Sequence, residues 1–428
     1  LSEFNFRADA SSRFRKGKRW GYFPSASIGW RLSEESFLLD SFFDELKIRA
    51  SYGELGNQNL NSYWPYLTVI TQNNETSYNV GNALTPGAAV TTLVDENITW
   101  ETTTSFDLGI DLRVFNDRLS AEFDYFVKNT KDILVQLPIP SLLGGVTAPY
   151  ENVGEMKNTG FEFSFNWRDR MDNGLSYNLG TNITFVENEV VKFREDSPDQ
   201  LYLIREGYSY KTLYGYTFEG IFQSDEEASA HMHANGFKPK AGDVKYIDRN
   251  SDGKLDYNDK TELGNTIPKI TYGVNGSISY KGFDLSMLLQ GIAKVHVYTK
   301  NAFTEQPWTY SGGAATVRWR DAWTPTNPST TVPRIIPGDS WNGQASSYWV
   351  NELSWLKLKN IQLGYTLPKK WTSFASIKSA NFYINGQNVL TYVNDKYEGF
   401  DPERDTFGNG YYHYPVPRIY SVGINVKF

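Results

Sequence analysis

Strict alternation of apolar and polar residues runs through the chain. Phe161, Phe163, Phe165 and Trp167 share one face of a segment whose other face carries Glu162, Ser164, Asn166 and Arg168. Phe106, Leu108, Ile110, Leu112 and Val114 alternate with Asp107, Gly109, Asp111 and Arg113, and the residues from Leu175 to Phe185 repeat the pattern. Successive strand side chains point to opposite faces, so each segment has one greasy and one wet side. The pattern predicts about twelve strands, near 2–10, 24–33, 46–54, 100–114, 119–136, 159–168, 175–186, 270–280, 283–292, 353–367, 380–390 and 417–428. The fold class is all-β.

The connections alternate in length. Asn116-Asp117, 169–174 and Lys281-Gly282 are short, and 33–45 and 368–379 are moderate. Between them fall the long ones, 55–99, 137–158, 187–269, 293–352 and 391–416. Outer-membrane barrels have this parity, with short periplasmic turns and long extracellular loops. Aromatics recur toward the strand ends at Trp30, Trp100, Tyr125, Trp167, Tyr272, Tyr280, Trp355, Tyr365 and Tyr420, as in the girdles of such barrels. The expected architecture is an antiparallel transmembrane β-barrel. The last segment, 420–428, alternates and ends on Phe428, resembling the terminal strand by which such barrels are recognised for assembly. The first residues, Leu1-Ser2-Glu3-Phe4, begin in mid-alternation, so further chain is expected upstream. Unpaired sheet edges in lipid would each cost several kcal/mol per group, and upstream strands or another chain must close them.

Composition excludes several alternatives. Aromatics make up 15% of the 428 residues, too many for a disordered chain. No apolar run approaches the ~18 residues of a membrane helix. The absence of cysteine removes disulfides, thiolate zinc sites and cysteine nucleophiles. A net charge of −7 argues against nucleic acid as a partner. No nucleophile elbow, zinc-protease or phosphate-loop motif occurs, and Glu122, Asp124 and Glu162 fall on the polar strand faces, where they suit a hydrated wall. The chain is expected not to be an enzyme. A soluble or surface-attached glycan-binding module or glycosidase remains the alternative from another class.

Several phrases resemble the barrel of SusC/RagA-type TonB-dependent outer-membrane transporters. They are the run from Arg19 to Arg31, Leu46 to Gly53 with Gly56-Asn57-Gln58, and Trp100-Glu101 with Phe106-Asp107-Leu108-Gly109. Asn158 to Glu162, Leu356 to Asn360, Leu363 to Pro368, Asn385 to Asn388 and Pro415 to Arg418 complete the set. The resemblance implies a 22-stranded barrel, of which this chain supplies the C-terminal part, with a plug domain and further strands outside it. It implies import of oligosaccharides or peptides across the outer membrane of a Gram-negative bacterium, energised through TonB under a SusD-like lipoprotein lid. A siderophore or cobalamin receptor of the same architecture is the second reading within transport.

One motif carries sharper chemistry. From 248 to 259 the spacing is that of an EF-hand-type calcium loop: Asp248, Asn250, Asp252, the Lys254 carbonyl, Asp256 and Asp259, with Gly253 at the sharp turn. Asp259 stands where Glu is usual, and its shorter reach weakens affinity. A structural Ca2+ here is expected to stiffen the 187–269 loop by neutralising crowded carboxylates. In the same loop Ser224 to Glu227 form a capping box opening a short helix that Gly236 ends. His231 and His233 lie on different faces of it and read as ordinary surface histidines. Trp64, Trp308, Trp319, Trp323, Trp341 and Trp349 fall in long loops, as candidate substrate or lid contacts or as packing within the loops. The basic run Arg15 to Arg19 is either a solvated turn or a contact with anionic lipopolysaccharide.

Overall fold

The computed structural model describes residues 1–72, 76–137, 139–193, 197–198, 201–231, 237–300, 317–336, 341–373, 377–394, 397, 401–403 and 416–428. Twelve long strands form one antiparallel meander in chain order. They are β1 (Ser2–Ala10), β2 (Trp20–Arg31), β3 (Phe43–Asn57), β4 (Glu101–Val114), β5 (Leu119–Gln136) and β6 (Tyr150–Arg170). The series continues with β7 (Ser176–Lys192), β8 (Ile270–Tyr280), β9 (Phe283–Ala293), β10 (Trp355–Thr366), β11 (Ser379–Val393) and β12 (Ile419–Lys427). Each corresponds to a segment read from alternation.

Two starts differ from the sequence reading by four residues or more. β6 begins at Tyr150 rather than near 159, because register shifts at Asn152/Gly154 and Gly154/Met156 break the period of two. β2 begins at Trp20 rather than 24, running through Pro24, which pairs with Phe6. β5, β6 and β7 have 18, 21 and 17 residues, well beyond the about 10 that a tilted strand needs to cross a bilayer. Their upper halves therefore stand clear of any hydrocarbon layer.

Pairing aligns the apolar faces. One row runs through Trp30, Ile48, Ile110, Phe123, Phe163, Ile183 and Tyr272, across β2 to β8. Another runs through Tyr177, Ile278, Leu285, Leu363, Ile384 and Val422, across β7 to β12. These side chains are exposed or half-buried; among the described residues no second sheet covers them. A soluble sandwich would have buried them between layers, so that alternative does not survive.

Short connections all lie at one end of the meander. Lys281 and Gly282 join β8 to β9 with φ of 50° and 90°, the left-handed pair whose twist matches a hairpin. The long connections 58–100, 137–149, 193–269, 294–354 and 394–418 lie at the other end, and so does the turn 11–19.

Candidate functional site at the mouth and inner wall

The face opposite the apolar rows is charged. Arg49 on β3 donates to Asp107 and Asp111 on β4, at 3.0 and 2.9 Å, and to Asp124 on β5 at 2.7 Å. Lys47 donates to Asp111 at 3.0 Å. Gly109 lies between, opposite both Arg49 and Asp124. A Cβ there would sit 2.3 Å from Asp124 Oδ1 and 2.6 Å from the Arg49 guanidinium carbon, so a larger residue would push this ion pair aside. Of the expected wall carboxylates, Asp124 joins this network, Glu122 accepts weakly from Ser164 at 3.4 Å, and Glu162 stands beside Asp124. Sequence reading missed Arg49 because its partners are 58 to 75 residues away.

At the far end of the wall, Lys357 on β10 is fully buried. Its ammonium donates to Asp401 at 2.5 Å and Glu403 at 2.9 Å, and Lys359 donates to Glu403 at 2.6 Å. Burial pushes the Asp401 and Glu403 carboxyls up, but the lysine hydrogen bonds outweigh it and hold both below the ordinary range, helped at Asp401 by the Glu403 and Val416 N–H groups. Burial pushes the neighbouring Tyr397 phenol up to about 12.

The described parts of the connections 193–269 and 294–354 fold together into a head. Tyr216, Val244, Tyr246 and Leu255 from the first enclose Trp341 from the second. Asp243, completely buried, accepts from Arg334 through both oxygens. Helix α1 (Asp225–Ala230) opens on Ser224, whose hydroxyl accepts from Glu227 N–H at 3.1 Å, while Glu227 accepts from Gln223 N–H. The helix ends at Ala230, ahead of Gly236, which lies outside the described residues. His231 is half-buried, edge-on to Phe222; His233 lies outside the described residues.

The loop 248–259 is bolted to this head by Leu255. Asp248 accepts from Gly253 N–H, Asn250 from Asp252 N–H, Asp252 from Lys254 N–H and Asp256 from Asn258 N–H. Asp259 is fully buried and accepts from Arg249 and Asp256 N–H groups at 2.9 and 2.8 Å. It therefore closes the loop by backbone hydrogen bonds. Among the described residues no three Asp, Glu or His side chains converge as a ready metal cage. Asp248 Oδ1, however, is buried without a partner.

The tryptophans divide. Trp319, Trp341 and Trp349 are buried; the Nε1 of Trp341 donates to the Val244 carbonyl and that of Trp349 to the Asn342 carbonyl. A ring without an open face offers nothing to a substrate, so these three are packing residues, contrary to the expectation of ligand contact. Trp323 is half-buried and bonded to Gln223, whereas Trp64 is exposed beside Tyr63. Trp308 lies outside the described residues.

The basic first turn is also structural. Arg13 donates to the Leu60 carbonyl at 2.5 Å, Lys18 to the Asn97 carbonyl at 2.7 Å, and Arg15 pairs with Glu96. Phe14 is buried with Phe23, Leu60, Ile98 and Trp100. The turn thus ties down both ends of the 58–100 connection.

A family model described as "TonB dependent receptor-like, beta-barrel" matches residues 3–389. TonB-dependent receptor P3 of Formosa agariphila is 30% identical over 449 residues, covering 99% of this chain and 44% of the relative. TonB-dependent receptor SusC of Bacteroides thetaiotaomicron is 27% identical, covering 100% and 42%. Among solved structures, the RagAB peptide transporter superposes with a TM-score of 0.82 at 26% identity, covering 100% of this chain and 46% of that one. The chain thus spans a little under half the length of the relatives it matches.

Proposed function

The chain belongs to the TonB-dependent receptor β-barrel family, and from that premise we propose that it is the barrel wall and mouth of a nutrient importer. Proteins of this family are outer-membrane receptors and transporters rather than enzymes, and the twelve-stranded sheet lies in the outer membrane. The observation that carries the reading is the pair of faces: continuous apolar rows outside and the Arg49 and Lys357 charge networks inside. Such a wall separates lipid from a hydrated passage.

We propose that the full-length protein imports oligosaccharides or peptides, energised through TonB. The likeness to SusC and to the RagAB peptide transporter supports this class. A surface lipoprotein of the SusD type is the proposed lid. The 58–100 connection supports it, presenting Tyr63, Trp64, Val69, Ile70, Tyr78 and Leu84 as exposed apolar side chains above the band that lipid would cover. Patches of this kind mark protein contacts. The test is growth of a deletion strain on defined glycans and peptides, with the lipoprotein recovered alongside the tagged receptor. Unimpaired growth on every substrate rejects the import reading, and recovery of the receptor alone rejects the lid.

We further propose that the 248–259 loop holds a structural Ca2+, through Asp248, Asn250, Asp252, the Lys254 carbonyl and Asp256, with Asp259 closing the loop. The orphaned, buried Asp248 Oδ1 supports it, since a bare carboxylate oxygen out of water is costly unless a cation or donor meets it. Chelation of the outer-membrane protein is expected to speed protease cutting within 193–269, and Ca2+ to restore protection. Equal cutting with and without chelator removes the ion from the account.

A further inference from the structure

Loops as long as 193–269 and 294–354 need internal packing to be ordered; the second has one cluster of its own, Trp319, Ala322, Val332 and Trp349, but the other cluster is shared between the two. Trp341 comes from the second loop, but its indole is enclosed by Tyr246 and stacked on Phe237 of the first, with ring centroids 4.8 Å apart. Its Nε1 donates to the Val244 carbonyl, and the Tyr246 hydroxyl donates to the Trp341 carbonyl, both at 2.8 Å.

Polar groups interlock in the same way. Asp243 of the first loop is completely buried; it accepts from Lys240 N–H of its own loop at 2.8 Å, and its cationic and amide partners come from the second. Arg334 donates through Nε to Oδ1 at 2.7 Å and through Nη2 to Oδ2 at 2.9 Å, and Asn342 adds a longer bond at 3.3 Å. The forked geometry fixes both direction and register. Asn342 also accepts from Val244 N–H at 2.7 Å, and Ser347 Oγ from Phe218 N–H at 2.8 Å. A backbone ladder joins the two loops as well: Tyr216 N–H donates to Ala345, and Ser347 N–H donates to Tyr216, each at 2.9 Å. Pulling the loops apart would leave a buried carboxylate without its cation and several backbone groups without partners.

We propose that the described parts of the two connections, 201–231 with 237–269 and 317–336 with 341–354, form one cooperative unit above β7 to β10, so that neither opens without the other. That side of the mouth then changes shape only as a block. This is independent of what passes through the barrel. Among the described residues, the 58–100 connection and its flank are tied to the first turn and to Asn152.

Hydrogen exchange on the full-length protein in detergent tests it. Asp243→Asn keeps the shape and removes the charge. It is expected to raise exchange at Val244–Tyr246 in the first loop and Val350–Glu352 in the second by the same factor, about tenfold or more, leaving β4 to β6 unchanged. Ser347→Ala, which removes one acceptor, is expected to raise the same two groups together by a smaller factor, and serves if the first variant does not assemble. A rise confined to one loop in either variant overturns the proposal.

Discussion

The sheet and the head place the same kinds of residue in opposite settings. On the sheet Ile110 is 43% exposed and Leu363 48%, in register with neighbours equally open. In the head Val244 and Tyr246 are fully buried and Trp341 is 2% exposed. The difference lies in the solvent each region meets. The head folds in water, where burying apolar surface is the main favourable term. The sheet faces hydrocarbon, which rewards no such burial, so its strands are held by ladder hydrogen bonds whose exposure to lipid would be costly. The polar groups follow suit: charges line the inside of the sheet, while the head encloses one forked ion pair.

That contrast can be broken from either side. The largest effect is expected from Trp341→Ala. Loss of a fully packed indole costs about 3–5 kcal/mol, confined to the head. Protease should then cut the 193–269 connection while the folded barrel keeps its resistance to unfolding in detergent. A whole-protein loss of folding would mean that the two regions are not separate. Leu108→Arg, on the apolar face of β4, is expected to destabilise the sheet by about 2–4 kcal/mol in lipid vesicles, read by urea titration. Glu122→Gln on the opposite face should stay within about 0.5 kcal/mol. Equal effects at the two positions would refute the assignment of faces.

Acid sharpens the comparison at the inner wall. Asp401 and Glu403 are held below ordinary carboxylate values. The stability they confer is fully present above about pH 4–5, where such groups would be ionised even when unfolded. It is lost as the pH falls through their lowered values. Protection of the Asp401 and Glu403 amides, relative to their intrinsic exchange rates, should therefore fall below that range and stay constant from pH 5 to 8; a fall in protection near pH 7 would contradict it. A smaller loss than in the head's core is expected from Ser224→Ala, which removes the helix cap and should cost about 1 kcal/mol, visible as faster exchange in Asp225–Ala230.

Local chemistry alone determined much of this molecule. A period of two needs no tertiary information, because side-chain direction in a strand is fixed by the backbone. The twelve strands, their order and the separation of short turns from long loops were legible for that reason. The period failed where bulges reset it, at Asn152 to Met156. The capping of α1 by Ser224 was likewise readable, being a contact three residues long. What only the tertiary structure decided are the meetings of distant residues. Asp243 finds Arg334 91 residues on, Lys357 finds Asp401 44 on, and Arg49 finds Asp124 75 on. No spacing encodes such pairs. The same holds for the loop tryptophans: a strand pattern says that Trp341 and Trp64 lie outside the sheet, but burial is a property of what packs around a ring. One became the centre of the head and the other stayed open.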